Sequence, residues 1–477
     1  MSEQLTVDLC VIGGGSAGLT LAAGASQLGL KVVLCEADRM GGDCLNTGCV
    51  PSKALIAAAA AAHGVRAAER FGVRLRTPVD VDYAAVRAHV RQTIAAIAPN
   101  DSVARFEGLG VRVIEARARF VSSDAIEAGN VRISARRFAI ATGSRPAVPP
   151  IAGLDDVGPL TNETIFDLDA RPDHLLVVGG GAIGCELAQA HARLGTRVTL
   201  VEVGEILPRE DREAAAVVRR ALAADGVTLR ENARVVRFEQ HAVANVAVVA
   251  GNDGSEDSIA FSHVLVATGR RPNVEDLGLD AAGVDWTPRG ITVDRRLFTS
   301  NPRVLALGDV TGAPQFTHVA GWHAGIAIRN LCFRIPAKAD ARAVPRVTFT
   351  APELAQVGPT EDELRAGGKA PRAVRWAFAD NDRAHATGET QGFVKLLADR
   401  GGRVIAATLV GAHAGELLAP WISAVARGAK LSEMAGLTMP YPTLSEAGKR
   451  AAGSAFAPRL FSPRTRRIVR FLFRLPF

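Results

Sequence analysis

One feature limits the fold of this chain more than any other: a glycine-rich turn between a strand and a helix occurs twice. Residues 5–12 (LTVDLCVI) are predicted to form a buried strand, GGGSAG and an alanine-rich helical stretch follow, and 31–36 (KVVLCE) is the next strand. The same pattern returns at 175–202, and Gly13 and Gly179 lie 166 residues apart. Each copy is a βαβ unit, so the chain contains an internal duplication and not a short-period solenoid.

The first unit carries the fingerprint of a dinucleotide site. Gly13, Gly15 and Gly18 give the spacing G-x-G-x-x-G, Ser16 lies at the start of the helix, and Glu36 follows 18 residues after Gly18 at the end of the second strand. Glycine allows the tight turn and lets the backbone approach a pyrophosphate at the helix N-terminus, while the acid can accept hydrogen bonds from a ribose diol. A purely structural glycine turn is the alternative.

The second unit repeats this logic with Gly179, Gly181 and Gly184, and Glu202 lies 18 residues after Gly184. Two complete fingerprints indicate two dinucleotides, or one site and a degenerate copy. A carboxylate at 202 would repel a 2′-phosphate, which favours NADH over NADPH. Arg209 is near enough in sequence to keep NADPH open.

The segment 40–55 (MGGDCLNTGCVPSKAL) contains a candidate redox pair. Cys44 and Cys49 are five residues apart, which in a regular helix is too far, and on divergent faces, for a disulfide. Gly48 and Pro51 suggest an irregular first turn that could bring the sulfurs together. A thiol near a helix N-terminus has a lowered pKa. Two unrelated buried cysteines are the alternative.

Composition and charge exclude several classes of protein. The 477 residues are 48% hydrophobic and 22% charged, as in ordinary globular proteins, and six cysteines do not make a secreted disulfide framework. The net charge is +7, but residues 458–477 hold six arginines and no acid, so the rest of the chain is nearly neutral. That balance argues against nucleic-acid binding. With no signal-peptide pattern and no long apolar run, a cytoplasmic protein is expected.

Taken together, the motifs resemble those of the flavin-dependent pyridine nucleotide–disulfide oxidoreductases, the family of dihydrolipoamide dehydrogenase, glutathione reductase and mercuric reductase. They are GGGSAG, GGDCLNTGCVPSK, ATGSRP, GGGAIGCELA, ATGRRPN, GDV and PYPTLSE. The resemblance extends over nearly the whole chain. The resemblance implies an α/β fold with two Rossmann-like dinucleotide-binding domains and a C-terminal α+β dimerisation domain. It also implies FAD on the first unit, NAD(P)H on the second, a homodimer, and electron flow from nicotinamide through flavin to a Cys44–Cys49 disulfide.

The expected domain boundaries follow the motifs and the changes in composition. They are an FAD-binding domain at 1–155, an NAD(P)-binding domain at 156–275, a return to the FAD-binding domain at 276–345, a dimerisation domain at 346–457 and a basic amphipathic tail at 458–477.

The resemblance also implies roles for individual residues. By position, Cys49 resembles the charge-transfer thiolate beside the flavin, and Cys44 resembles the interchange thiol that attacks the substrate. Lys53 resembles the lysine near the flavin N5 that pairs with a glutamate, here Glu186. Further cofactor contacts are implied for Thr142, Gly143, Asp309, Gln315, Phe316, Thr317 and His318 on the flavin side, and for Gly269 and Val235 on the nucleotide side.

One motif departs from the lipoamide and glutathione enzymes. There, a His–Glu pair from the partner subunit shuttles the proton of the interchange thiol; here Glu446 is present, but Tyr441 stands where the histidine belongs. A tyrosine with a pKa of about 10 is a poor base at neutral pH, and loss of a general base costs a factor of about 10²–10⁴ in rate. The segment resembles mercuric reductase, which also has tyrosine there. An inert packing role for Tyr441 is the alternative.

The resemblance to mercuric reductase is incomplete, because the chain has neither a C-terminal vicinal cysteine pair nor an N-terminal Cys-x-x-Cys metal domain. No cluster has the spacing of a structural metal site. We therefore expect an enzyme that uses NAD(P)H to reduce a small disulfide or a thiophilic metal ion such as mercury or copper, with a quinone as a further possibility. Dihydrolipoamide dehydrogenase is the second candidate.

The tail suggests a candidate of another class. Arg466, Arg470 and Arg474 recur every fourth residue, which predicts a basic amphipathic helix. Such a helix suits a membrane surface, here the inner face of the cell membrane, or an acidic partner. A flavin-bearing protein that works at a membrane, with catalysis secondary, is the corresponding function. Packing of the tail against the partner subunit is the alternative.

Overall fold

The structure is a computed structural model that describes residues 3–242, 244–312 and 314–476. The chain divides into two compact units: one contains Met1–Glu205 and Gly226–Asp340, and the other contains Ile206–Asp225 and Ala341–Phe477. The five segments predicted from the sequence are finer than these two units and remain a proposal.

The first part of the larger unit is a βαβ unit extended by an antiparallel meander. Its strands are β1 (Glu3–Ile12), β2 (Val32–Glu36), β3 (Val111–Glu115), β4 (Ala118–Ser122), β5 (Ala125–Ala128), β6 (Val131–Ile140) and β7 (Ser144–Pro146), and its helices are α1 (Ser16–Gln27), α2 (Gly42–Asn46), α3 (Cys49–Arg66), α4 (Tyr83–Ile97) and α5 (Val103–Gly108). The strand order is β3-β2-β1-β6-β5-β4, and β1 pairs in parallel with β2 and β6. The carboxyl ends of the parallel strands carry the first glycine turn.

The second part repeats the βαβ unit. Its elements are β8 (His174–Val178), α6 (Ala182–Arg193), β9 (Arg197–Val201), α7 (Arg212–Ala224), β10 (Val227–Arg230), β11 (Ala233–Glu239), β12 (Asn245–Gly251), β13 (Glu256–Phe261), β14 (His263–Val266) and β15 (Arg270–Pro272). A four-stranded parallel sheet has the order β10-β9-β8-β14, and β11-β12-β13 form a separate antiparallel sheet. Helix α7 belongs to the other compact unit. The strands that close the two repeats, β7 and β15, pair with each other antiparallel.

The chain then returns to the first sheet. The elements of this return are α8 (Leu279–Ala282), β16 (Trp286–Thr287), β17 (Gly290–Ile291), β18 (Val304–Ala306) and α9 (Thr317–Leu331). Strand β18 pairs in parallel with β6, and it leads into a 3-10 turn over Gly308–Thr311. Asp309 is therefore delivered to the same sheet edge as the first glycine turn.

The smaller unit is an α+β module. Its elements are β19 (Pro345–Thr348), β20 (Glu353–Val357), α10 (Glu361–Ala366), β21 (Arg372–Ala377), α11 (Asp382–Thr387), β22 (Phe393–Ala398), β23 (Val404–Gly411), α12 (Ala414–Leu417), α13 (Ala419–Arg427), α14 (Leu431–Ala435), α15 (Glu446–Ser454), α16 (Ala457–Leu460) and α17 (Pro463–Leu472). The antiparallel sheet has the order β19-β20-β23-β22-β21. The nearly buried ammonium of Lys395 lies 2.9 Å from Asp211, which attaches α7 to this sheet.

The predicted fold class is confirmed: two Rossmann-like βαβ units precede a C-terminal α+β module. Among the helices of the described residues, none has both the length and the apolar character needed to cross a bilayer.

Candidate functional site

The first glycine turn is built so that side chains are excluded from it. Gly13 has φ +109°, and a Cβ there would lie 2.3 Å from the carbonyl oxygen of Ala141. A Cβ on Gly18 would lie 1.9 Å from the carbonyl oxygen of Gly13. Both positions therefore require glycine. Helix α1 begins after Gly15 without a side-chain cap, which leaves its first N–H groups available to an anion.

The acid at the end of β2 is held beside this turn. One oxygen of Glu36 accepts a hydrogen bond from the backbone N–H of Gly14 at 2.5 Å, and the other accepts from Asp38 at 2.7 Å. The uncapped helix N-terminus and the fixed carboxylate fit the pyrophosphate and ribose of a dinucleotide such as FAD.

The second turn reproduces this geometry. Gly179 has φ +110°, a Cβ on Gly184 would lie 1.9 Å from the carbonyl oxygen of Gly179, and α6 begins after Gly181 without a side-chain cap. Glu202 accepts from the backbone N–H of Gly180 at 2.6 Å. The sequence duplication is thus a structural duplication, and the second turn also fits a dinucleotide.

The two candidate redox cysteines lie on either side of a break between two helices. Cys44 is on α2 and Cys49 is the first residue of α3, because the chain leaves the helix at Thr47 and Gly48. A Cβ on Gly48 would lie 2.8 Å from a carboxylate oxygen of Asp43, so the break is closely packed. The two thiols are free, and each shifts the pKa of the other. The expected irregular turn is present, and it brings the sulfurs together.

The surroundings of the pair separate the two sulfurs chemically. The pKa of Cys49 is lowered to about 6, first by the hydrogen bond from Cys44 and then by the Thr317 hydroxyl and the Lys53 charge. The Thr317 oxygen lies 3.4 Å from the Cys49 sulfur. The pKa of Cys44 is raised, because its proton is held in the hydrogen bond to Cys49 and because the thiol is partly buried. Cys49 is therefore the thiolate near neutral pH, at the N-terminus of a helix that favours the anion.

The expected Lys53–Glu186 pair is formed. Lys53 lies one turn after Cys49 on α3, and its ammonium is 2.7 Å from the Glu186 carboxylate on α6. Glu186 is buried. The ion pair connects α3 to α6 of the second βαβ unit.

A polar network connects α2, the helix that carries Cys44, with Asp309. The Ser144 hydroxyl donates to Asp309 at 2.6 Å, and Arg270 donates to the Ser144 hydroxyl at 2.8 Å. The guanidinium of Arg270 also lies 3.3 Å from Asp43, which accepts from Asn162 at 2.9 Å. Burial raises the pKa of Asp309. Asp43, which precedes Cys44, is thus held by Arg270 of β15, the strand that closes the second repeat.

The other predicted cofactor contacts lie in three places. Thr142 and Gly143 bond to Asn273 next to the β7–β15 pair, and the Gly269 carbonyl accepts from Ala147. Gln315, Phe316, Thr317 and His318 precede or begin α9, with the rings of Phe316 and His318 stacked 5.2 Å apart. Val235 is buried in the apolar core between the β11 sheet and the parallel sheet. Its predicted nucleotide contact remains a prediction.

The C-terminal motif has a partner that the sequence did not indicate. The Tyr441 hydroxyl donates to Asp382 at 2.8 Å, and this hydrogen bond raises the pKa of Tyr441. The ion pair of Glu446 is made with Arg450 at 3.6 Å. The acid paired with Tyr441 is therefore Asp382 of α11, where the resemblance had led us to expect Glu446.

Sequence reasoning missed five polar residues of these networks. Asp43, Ser144 and Arg270 lie inside motifs that it had singled out, so a signal was present. Asn162 and Asp382 lie outside every motif, 119 and 59 residues from their partners Asp43 and Tyr441. No local pattern could have found them.

Comparison with known proteins agrees with this geometry. The pyridine nucleotide-disulphide oxidoreductase model matches residues 7–324. The chain belongs to this family. The dimerisation-domain model of the same family matches residues 344–452, which supports a homodimer. The protein is therefore an enzyme, an FAD-dependent oxidoreductase that uses NAD(P)H.

Its relatives carry the names of different activities. A mercuric reductase of Streptomyces lividans is 37% identical over 93% of this chain and 95% of its own length. A dihydrolipoyl dehydrogenase of Thermus scotoductus is 38% identical over 94% of this chain and 97% of its own length. The structure of the Cu(II) complex of the HOCl-induced flavoprotein disulfide reductase RclA from Escherichia coli has a TM-score of 0.83 at 27% identity, and the match covers 93% of this chain and 99% of that one.

Proposed function

We propose that this oxidoreductase uses NADH to reduce a small disulfide or a thiophilic metal ion through Cys44 and Cys49. The observation that carries the proposal is the contact between the two sulfurs, in which Cys44 holds the proton and the pKa of Cys49 is lowered to about 6. A pair in which one sulfur is an anion near neutral pH is suited to exchange with disulfides and to binding soft metals.

The proposed cofactor sites use the two glycine turns. FAD, when bound, would supply two-electron exchange between a nicotinamide and the sulfur pair. The chain would hold it with Gly13, Gly15, Ser16, Gly18, Glu36, Thr142, Gly143, Asp309 and the segment Gln315–His318, with Lys53 and Glu186 beside it. NAD(P)H would be held by Gly179, Gly181, Gly184, Glu202, Gly269 and Val235, and the Glu202 carboxylate supports NADH.

Each sulfur has a separate task in the proposed reaction. With a disulfide acceptor, the Cys44 sulfur bonds to one half of the acceptor and the other half leaves as a thiol. The Cys49 thiolate then displaces the bound half by closing the Cys44–Cys49 disulfide. With a metal ion, both sulfurs would serve as soft ligands while the ion accepts electrons. The Lys53 ammonium would stabilise the Cys49 anion in either case.

The C-terminal motif supports reduction over dithiol oxidation. In the proposed homodimer, Tyr441 of one subunit would face Cys44 of the other. Because the hydrogen bond to Asp382 raises the pKa of Tyr441, even less of this side chain than of a free tyrosine is in the phenolate form that could accept a proton at neutral pH. Oxidation of a dithiol needs a base to take its proton, whereas reduction of a metal ion does not need one in the same way. The names of the Streptomyces and Escherichia relatives, which mention mercury and copper, lend support to a metal ion.

Dihydrolipoamide dehydrogenase remains the second candidate, because a relative with that name matches almost end to end. If it is correct, the enzyme oxidises dihydrolipoamide with NAD⁺ rapidly despite Tyr441. If the leading proposal is correct, this reaction is slow and Tyr441→His increases it at least about tenfold, a fraction of the gain that a general base gives.

An acceptor screen tests the proposal. NADH oxidation is followed with mercuric ion, cupric ion, glutathione disulfide, lipoamide and a quinone, for the wild type, Cys44→Ser and Cys332→Ser. Cys332 follows α9 and is partly buried, so its variant controls for loss of a thiol elsewhere. We expect turnover with a disulfide or metal ion that Cys44→Ser abolishes and Cys332→Ser retains. Equal turnover of the wild type and Cys44→Ser with every acceptor would reject the sulfur relay.

A flavoprotein whose main task is at a membrane is the candidate of another class. The basic tail favours it, and the paired cysteines favour catalysis. An enzyme that turns over steadily with any acceptor through Cys44 would reject a secondary role for catalysis, but would leave a membrane contact of the tail open.

A further inference from the structure

We propose that the C-terminal segment 458–476 docks the enzyme on an anionic lipid surface. The inference does not depend on which acceptor the enzyme reduces. It rests on the helix α17, on the side chains that this helix exposes and on the charge of the segment.

The residues at the start of helix α17 favour a helix at this position. Ser462 caps it by accepting a hydrogen bond from the backbone N–H of Thr465, and Pro463 occupies its first turn. The helix runs from Pro463 to Leu472, and none of its residues is buried. Most helical stability in proteins comes from packing of an apolar face. A capped helix whose apolar face is exposed is therefore expected to be stabilised by a binding partner on that face.

The exposed apolar side chains lie on one side of this helix. Helical spacing places Ile468, Phe471 and Leu472 together, and each is exposed. Phe473, just after the helix, is 89% exposed. Single exposed apolar residues are common, but a group of this size indicates an interaction surface.

The arginines lie on the other side. On the helix, Arg466, Arg467 and Arg470 lie opposite Leu472, and none of the three forms an ion pair within the described part of the chain. Arg464, in the first turn, lies beside the apolar side, and Arg474 follows the end of the helix. The segment 458–477 holds six arginines and no acid, whereas the rest of the chain is nearly neutral. An apolar side bordered by arginines is the pattern of helices that lie in the interface of anionic membranes.

The charge distinguishes the possible occupants of this surface. A second copy of the segment would bring six further arginines against the first six, and the nearly neutral remainder of a second copy offers no net opposite charge. The family's dimerisation domain matches only residues 344–452, so the segment lies outside it. An anionic bilayer supplies both the opposite charge and an apolar layer for the aromatic side chains.

Vesicle binding of the full-length holoenzyme tests the inference. The protein is sedimented with vesicles of phosphatidylcholine alone and with vesicles that contain roughly one quarter phosphatidylglycerol, at low salt and at roughly 0.5 M NaCl. We expect binding only to the anionic vesicles and loss of binding at high salt. Absence of binding to the anionic vesicles at low salt would overturn the inference.

Matched variants locate the binding surface. Arg466→Gln with Arg470→Gln should weaken binding about 25-fold, from roughly fivefold for each arginine. Phe471→Ser with Leu472→Ser should also weaken it. Arg400→Gln with Arg427→Gln removes the same charge from exposed sites outside the segment and should change binding little. Equal weakening in this control would show a general charge effect and overturn the inference.

Two further measurements separate the alternatives. NADH turnover should be unchanged in the tail variants, which shows that they are folded, and Cys44→Ser should bind vesicles like the wild type whether or not the sulfur relay is correct. Light scattering reports the oligomeric state. If Phe471→Ser with Leu472→Ser converts a dimer to a monomer, a second copy covers the apolar side and the membrane inference fails.

Discussion

The difference in pKa between the two cysteines depends on single hydrogen bonds and charges. Cys44 donates a hydrogen bond to Cys49, and Thr317 and Lys53 add to the stabilisation of the Cys49 anion. Asp43 opposes them and raises the pKa of both sulfurs. The family resemblance implied that Cys49 is the thiolate, and the surroundings in the structure favour the same assignment, because they lower the pKa of Cys49 and raise that of Cys44.

The first prediction concerns the titration of Cys49. In the reduced enzyme, its alkylation rate should reach half of its maximum at a pH of about 6. In Cys44→Ala the midpoint should move to higher pH, because alanine has no group that could donate a hydrogen bond to the Cys49 sulfur. The rate is measured by mass spectrometry of the peptide that contains Cys49. A midpoint near the ordinary thiol value of 9.0 in the wild type would contradict the assignment.

The second prediction concerns Tyr441 and Asp382. Because the Asp382 carboxylate accepts from the Tyr441 hydroxyl, Asp382→Asn should lower the pKa of Tyr441. The chain has only two tyrosines, and burial raises the pKa of the other, Tyr83, to about 12. Absorbance at the phenolate wavelength in a Tyr83→Phe background therefore reports Tyr441 alone.

Glu446→Gln is the matched control for this titration. Glu446 also raises the pKa of Tyr441, but it is the weakest of the causes, and Asp382 is the strongest. The shift in Glu446→Gln should therefore be smaller than the shift in Asp382→Asn. The reverse order would mean that Glu446 is the partner of Tyr441, as the family resemblance alone suggested.

Among the helices and strands, the glycine turns show how a short pattern can specify a site. The duplication was predictable from the sequence because the glycines and the acid of each unit lie less than 25 positions apart. Gly18 and Gly184 fit only as glycine, because a Cβ on either would lie 1.9 Å from the carbonyl oxygen of the first glycine of its own motif. The pairing of β7 with β15 joins segments more than 120 residues apart. It was not predictable, because no local period encodes which strands meet.

The third prediction compares two glycines of the second turn. Gly184→Ala should abolish NADH binding and lower the free energy of unfolding by about 1–3 kcal/mol, as in other overpacked sites. The methyl group would overlap the Gly179 carbonyl, at 1.9 Å. The better helix propensity of alanine, about 1 kcal/mol, offsets only part of this cost. Thermal unfolding and NADH titration measure the two effects.

Gly181→Ala is the control for this comparison. A Cβ at Gly181 meets nothing within 4 Å, and its φ of −70° suits alanine. Stability should stay unchanged, while NADH affinity falls because the methyl group occupies the approach of the pyrophosphate. FAD content should be normal in both variants, since the first turn is untouched. Normal NADH binding by Gly184→Ala would contradict the assignment of the second turn.

At the scale of the whole molecule, the family and the general chemistry follow from motifs spread over nearly the entire chain. The motifs do not identify the acceptor. In the proposed mechanism the acceptor is selected by the surroundings of Cys44, and in the proposed homodimer these surroundings include Tyr441 of another subunit. The partner of that tyrosine, Asp382, comes from a helix without any motif. Sequence reasoning therefore reached the sulfur pair, Lys53 and Tyr441, and missed Asp382, which raises the pKa of that tyrosine.

The central claim is that Cys44 and Cys49 store an electron pair in addition to the flavin. Anaerobic titration of the holoenzyme with dithionite, followed through the flavin absorbance and thiol content, tests it most directly. The account predicts that the wild type and Cys332→Ser take up twice as much reductant per FAD as Cys44→Ser or Cys49→Ser, and that two thiols appear. Equal uptake by the wild type and the Cys44→Ser variant, with no gain in thiols, would contradict it.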